Sequence, residues 1–131
     1  MLDRSELLKI ARARLADSVA LLKARRYDGA AYLCGYAIEC ALKARIVATL
    51  KWTGFPDSKK EFERFASFKT HNLDTLLSLS GREEKIRSSH LTEWSEVAQW
   101  DPEVRYNPIG SVTPVDAAQM IQRAESLLRV L

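Results

Sequence analysis

The chain has 131 residues, 47% of them apolar and 28% charged, with a formal charge of +3 and a pI near 9.0. That is one domain's worth of sequence, 1–131, long enough to bury a core without disulfides or a metal, and its composition argues against disorder. The slight basic excess is compatible with a nucleic-acid partner and does not demand one.

The first stretch, MLDRSELLK, is charged from its third residue and does not resemble a signal peptide. The cytoplasmic location expected for the chain follows instead from Cys34 and Cys40, which read as buried small hydrophobes. Residues 3 to 26 read as the first helix. Asp3 can cap it, with Glu6 as the return partner of a capping box. Leu8, Ala11, Leu15, Val19 and Leu22 recur at spacings of three and four and form a core stripe. Lys9, Arg12 and Lys23 fall within an arc of about 60° beside it. They are either a phosphate-facing ridge or a solvated flank whose stems cover the edge of the stripe.

Arg26-Tyr27-Asp28-Gly29 is a short break, so the first two helices should form an antiparallel hairpin, with Asp28 able to cap the second. Tyr27 to Leu50 then reads as one long helix that is apolar nearly all round, which marks it as the centre of the protein. Glu39, Lys43 and Arg45 interrupt it, and a membrane span is not expected. Cys34 and Cys40 lie roughly 9 Å apart along its axis, too far for a disulfide, and lack a metal-site spacing. Gly35, at a cost of about 1 kcal/mol against alanine, points to a close approach of another helix between Tyr32 and Tyr36. Glu39 and Lys43 stand in the favourable order for a pair. Glu39 either serves such a structural pair or meets a ligand or acts as a base.

Residues 51 to 69 are a connection with loop chemistry at Gly54-Phe55-Pro56-Asp57 and a possible short helix through Phe62, Phe65 and Phe68. Thr70 should cap a third helix from Asn72 to Ser80, ended by Gly81. A fourth helix is expected from Glu83 to Trp100, with Ile86, His90 or Leu91, Trp94, Val97 and Ala98 inward. Residues 100 to 108 hold two prolines and read as extended. Thr113-Pro114-Val115-Asp116 starts a final helix with Ala117 or Ala118, Ile121, Ala124 and Leu128 inward.

There is no glycine-rich phosphate loop, no HExxH and no nucleophile elbow. The two histidines have no partner at ligand spacing, so neither a metal nor a cofactor is expected. Arg26-Tyr27-Asp28-Gly29-Ala30, followed by Gly35-Tyr36-Ala37-Ile38-Glu39-Cys40-Ala41-Leu42-Lys43-Ala44, resembles the HEPN family. Thr70-His71-Asn72-Leu73 ahead of Leu76-Leu77 and a late Arg105-Tyr106 follow in the order such proteins show. The resemblance implies an all-α, up-and-down bundle of four to five helices, a homodimer, association with nucleotide or RNA, and a minimal nucleotidyltransferase as partner in a toxin–antitoxin-like pair. It also implies that relatives cleave RNA with an arginine followed by four to six residues and a histidine, two protomers pairing their motifs across a cleft.

No histidine follows Arg105 at that spacing. Arg64 and His71 have it, but not at the motif's late position, and they are weak catalytic candidates. Arg105-Tyr106-Asn107 is the better candidate for binding nucleotide or nucleic acid, since arginine forks onto phosphate and tyrosine offers a ring for stacking. The plainer alternative is an ordered loop with Tyr106 on Trp100 and Arg105 on an acid such as Glu39. The leading expectation is a binding module, with Glu39 and Lys43 contributing, that lacks strong catalysis. A metal-independent ribonuclease toxin and a protein-binding adaptor are the alternatives.

Overall fold

In the computed structural model, which describes residues 1–131, the regular structure is all helical apart from one isolated bridge. The helices are α1 (Arg4–Lys23), α2 (Tyr27–Leu50), a single turn α3 (Lys59–Phe62), α4 (Leu73–Ser80), α5 (Glu83–Ser89), α6 (Leu91–Val97) and α7 (Pro114–Val130). Short 3-10 turns lie at Ala66–Phe68 and Pro102–Tyr106. α2 has the bounds expected from its composition. It packs against α1 as an antiparallel hairpin, against α7, and against α4. Ala30, Cys34, Ala37, Ile38, Ala41, Leu42, Ala44 and Ile46 of α2 are wholly or almost wholly buried. Its alanines let the neighbouring helices approach, while Ile38, Leu42 and Ile46 fill the space among Leu7, Leu76, Leu77 and Leu127.

The caps explain several boundaries. Asp3 accepts from the Glu6 amide at 2.8 Å and starts α1. Thr113 accepts from the Asp116 amide at 3.0 Å and starts α7 behind Pro114. At α4 the cap is Asn72 rather than Thr70: Asn72 accepts from the Thr75 amide at 2.9 Å, while Thr70 accepts from the Asn72 amide at 3.0 Å. Gly81 closes α4 in the left-handed conformation (φ 75°). Asp28 is not the cap of α2. It lies in the first turn and reaches across to accept from the amides of Gly110 (2.7 Å) and Val112 (3.0 Å), tying α2 to the loop before α7.

Two further expectations change. The fourth helix is broken at His90, whose non-helical backbone (φ −137°, ψ 32°) separates α5 from α6. Ser88 and Ser89 precede the break, and Ser88 turns its hydroxyl onto the Lys85 carbonyl, a local bond that competes with helix continuation. Leu91 consequently faces solvent, while Ile86, Trp94 and Val97 are buried. Residues 102–106 coil into a 3-10 turn instead of running extended, because Asp101 accepts from the Glu103 amide and Pro102 starts the turn.

In the connection, Trp52, Phe55, Phe62, Phe65 and Phe68 pack in tilted and edge-to-face pairs, with neighbouring centroids 4.9 to 6.5 Å apart. Leu2 and Phe55 exchange backbone hydrogen bonds and hold this aromatic cluster to the start of α1. No helix is long and apolar enough to cross a membrane.

Candidate nucleotide-binding clefts

Tyr32, Tyr36, Glu39 and Lys43 recur every three or four residues and therefore lie along one side of α2. Glu39 is 4% exposed, an expensive place for a carboxylate unless it is paired. Two partners satisfy it. Lys43 donates at 3.1 Å from one turn further on, and His71, just ahead of α4, meets it through Nδ1 at 2.8 Å. With Nδ1–H donated to Glu39, the neutral ring keeps Nε2 as an open acceptor. Lys43 also stands 5.2 Å from the Phe55 ring centroid.

Tyr36 packs edge-on to Tyr32 (5.4 Å), Trp100 (5.0 Å) and His71 (6.5 Å). Desolvation, then its contact with the Tyr32 hydroxyl, pushes the Tyr36 phenol up to about 12, so it remains a donor at neutral pH. Gly35 is indeed a point of close approach, but of the Trp100 indole rather than a helix backbone. A Cβ on Gly35 would lie 2.0 Å from two ring carbons of that indole.

Arg105 leaves the 3-10 turn and donates from Nη1 to the Pro102 carbonyl at 2.7 Å. Its only ion pair is a loose one with Glu103 at 3.7 Å, and its guanidinium carbon sits 4.6 Å from the centroid of the Tyr106 ring. Arg105 therefore does not reach Glu39, whose oxygens are taken by Lys43 and His71. Tyr106 does not pack on Trp100, a place held by Tyr36, and is 73% exposed.

Two adjoining clefts result. The smaller, about 420 Å³, is lined by Tyr32, Tyr36, His71, Asn72, the 101–103 segment and Arg105. The larger, about 630 Å³, runs between α2, the 3-10 turn and α7, past Tyr32, Trp100, Arg105, Asn107, Val112 and Met120. Arg105 and Tyr32 belong to both walls. Trp100 is 6% exposed, and its Nε1 is buried without an acceptor in the chain. The Asp28 carboxyl is held below its ordinary value by the amides of Gly110 and then Val112, so its charge is committed to the loop that borders the larger cleft.

The structure thus gathers His71, Arg105 and, behind His71, Glu39 and Lys43; Asn107 lines the larger cleft, and Tyr106 stands outside on the Arg105 guanidinium. Arg64 is not part of this group. It is exposed between α3 and the first 3-10 turn, with no ion pair or hydrogen bond to His71. Tyr32 and Tyr36 are wall residues that sequence reading had placed only beside Gly35. Their i, i+4 spacing on the same side as Glu39 was the available signal. No group of three or more histidine, cysteine, aspartate or glutamate side chains is arranged to hold a metal ion.

No curated protein and no solved structure matches the chain. A family model does, over residues 5–55, which comprise nearly all of α1, the whole of α2 and the turn to Phe55. The model that matches describes the HEPN domain, and the all-helical bundle is consistent with that likeness.

Proposed function

We propose that the paired clefts bind a nucleotide or a short single-stranded segment of RNA, as a module without strong catalysis. A HEPN domain points to a nucleotide- or RNA-related role in general terms. The observation that carries the finer reading is the convergence of an arginine, a histidine and two tyrosines on one cleft, with Arg105 and Tyr32 shared by the next. Arg105 supplies a forked cation for phosphate. Tyr32 and the exposed Tyr106 supply ring faces for a base, and the protonated Tyr36 phenol supplies a donor. HEPN domains often dimerise, so a homodimer, and a nucleotidyltransferase as a toxin–antitoxin-like partner, belong to the same proposal.

Titration with ATP and with a short RNA, following binding and RNA integrity together, tests it. Binding without cleavage is expected, weakened at least tenfold by Arg105→Ala. Unchanged affinity in that variant refutes the assignment. The Glu39–His71 contact favours one second reading, a metal-independent ribonuclease. There the free Nε2 takes the ribose 2′-hydroxyl proton, the 2′-oxygen attacks phosphorus, and the 5′-oxygen leaves with a proton from water, giving 2′,3′-cyclic phosphate ends. Loss of such cleavage in His71→Ala, with binding retained, would establish that reading over the first.

A further inference from the structure

At the other end of α2 three arginines from three elements come together. Arg45, half-buried on α2, donates from Nε to the Thr49 hydroxyl at 3.3 Å. Thr49 in turn donates to the Ser80 carbonyl at 2.6 Å, and Ser80 Oγ accepts from the Arg82 amide at 3.1 Å. This chain of bonds clips the end of α4 to α2 and brings Arg82 beside Arg45. Arg4, at the start of α1, is the third, because the antiparallel hairpin sets the start of α1 against the end of α2. Burial, then the charges of Arg82 and Arg4, lowers the Arg45 pKa. One face of α1 extends the group: Arg4 and Arg12 line a shallow depression together with Ser5, Leu8 and Lys9. The two arginines are eight residues apart, about 12 Å along the helix.

What sets these groups apart is that they are clustered, since most of the chain's other lysines and arginines also make no ion pair. Arg14, Arg87 and Arg123 are paired with Asp17, Asp74 and Glu96. Arg4, Arg12, Arg45 and Arg82 make no ion pair. Lys9 in the same depression is paired with Glu6 at 3.0 Å, so the free charge of the group rests on the arginines. Like charges gathered in this way repel one another, and a polyanion relieves that repulsion while releasing its own counterions.

We propose that Arg4, Arg45 and Arg82, continued along α1 by Arg12, form a second binding surface that holds the phosphodiester backbone of RNA. It shares no residue with the clefts. Arg45 and Tyr32 are thirteen positions apart on α2, which is about 20 Å along the helix. The surface would take a strand as a charged track, without reading its bases.

The test is fluorescence anisotropy of a short labelled oligouridylate between about 50 and 200 mM salt, in the wild-type and Arg105→Ala backgrounds. The plot of log affinity against log salt should flatten by about 1.4 in Arg45→Gln/Arg82→Gln and by about 0.7 in Arg4→Gln, at about 0.7 per phosphate contact for a single strand. The Arg4 side chain is exposed and makes no hydrogen bond, so Arg4→Gln keeps the test decisive even where the double variant folds poorly. An unchanged slope in Arg4→Gln, or no RNA binding by the wild type, overturns the proposal. Complete displacement of RNA by millimolar inorganic phosphate also overturns it, in favour of a pocket for one anion. A slope changed by Arg4→Gln but not by Arg105→Ala supports this surface and counts against the clefts.

Discussion

Replacing Gly35 by alanine tests how the floor of the site is built. In an open helix this change stabilises by about 1 kcal/mol, because alanine has the higher helix propensity. Here the new methyl would lie 2.0 Å from Trp100 Cδ2 and Cε2 and 2.3 Å from Nε1. Trp100 has little freedom to retreat, since its ring is 6% exposed and packs edge-on against Tyr36 at 5.0 Å. Overpacking of a filled core typically costs up to about 3 kcal/mol. Setting the propensity gain against that leaves a net loss of about 2 kcal/mol. For a chain of this size each kcal/mol moves Tm by roughly 3 to 5 °C, so Gly35→Ala should melt roughly 6 to 10 °C lower. Urea denaturation gives the free energy directly. The control is the same change on a Trp100→Leu background, where the clash is gone and alanine should be neutral or stabilising. Gly35→Ala with a wild-type or raised Tm would refute the reasoning, because the helix would then be paying only for propensity. Destabilisation of the same size on both backgrounds would show that the indole is not its cause.

Glu39→Gln, which leaves Lys43 half-buried without its counter-charge and loosens His71, should lower stability by about 2 kcal/mol, read from urea unfolding; an unchanged midpoint counts against the pairing. Asp28 has a depressed folded-state pKa, so its contribution is complete above the ordinary aspartate value near about 4 and is lost as pH falls through the lower folded value. The Gly110 and Val112 amide resonances should therefore titrate together with a midpoint below that of an ordinary aspartate, and a midpoint at or above it would contradict the two hydrogen bonds. Burial, then the Glu125 charge, pushes the Cys34 thiol up to about 12, so it should react with a disulfide reagent at neutral pH only as fast as the protein opens; rapid labelling of a Cys40→Ser variant in native buffer would show that Cys34 is accessible.

Much of the fold was legible because it depends on local chemistry. α2 announces itself through an apolar surface with few interruptions, and α7 through threonine, proline and aspartate in sequence. Where two residues could serve one local role, sequence could not choose: Thr70 and Asn72 both accept backbone amides, and only their order of use fixes the start of α4. The break at His90 was hidden because the apolar spacing runs on through it, while the serines that loosen the helix carry no periodic signal. The site was partly legible. Glu39 with Lys43 is an i, i+4 pair and was readable. Its bond to His71 spans 32 positions and depends on how α4 lies against α2. The grouping of Arg4, Arg45 and Arg82 escaped for the same reason: Arg45 stands out in its own helix only as an interruption of the apolar surface, and nothing local joins it to the other two.

The shared wall of the two clefts has a thermodynamic consequence. Arg105 and Tyr32 border both spaces, and Arg105 is held only by the Pro102 carbonyl, a loose acid and a stacked ring. Nη1 of Arg105 is already committed to the Pro102 carbonyl, so a phosphate in the smaller cleft that took its remaining donors would withdraw them from the larger. Two anionic occupants would then compete without touching, whereas an anion on one side and an uncharged ring on the other would not. Linkage makes the effect reciprocal: the factor by which the first ligand weakens the second equals the factor by which the second weakens the first.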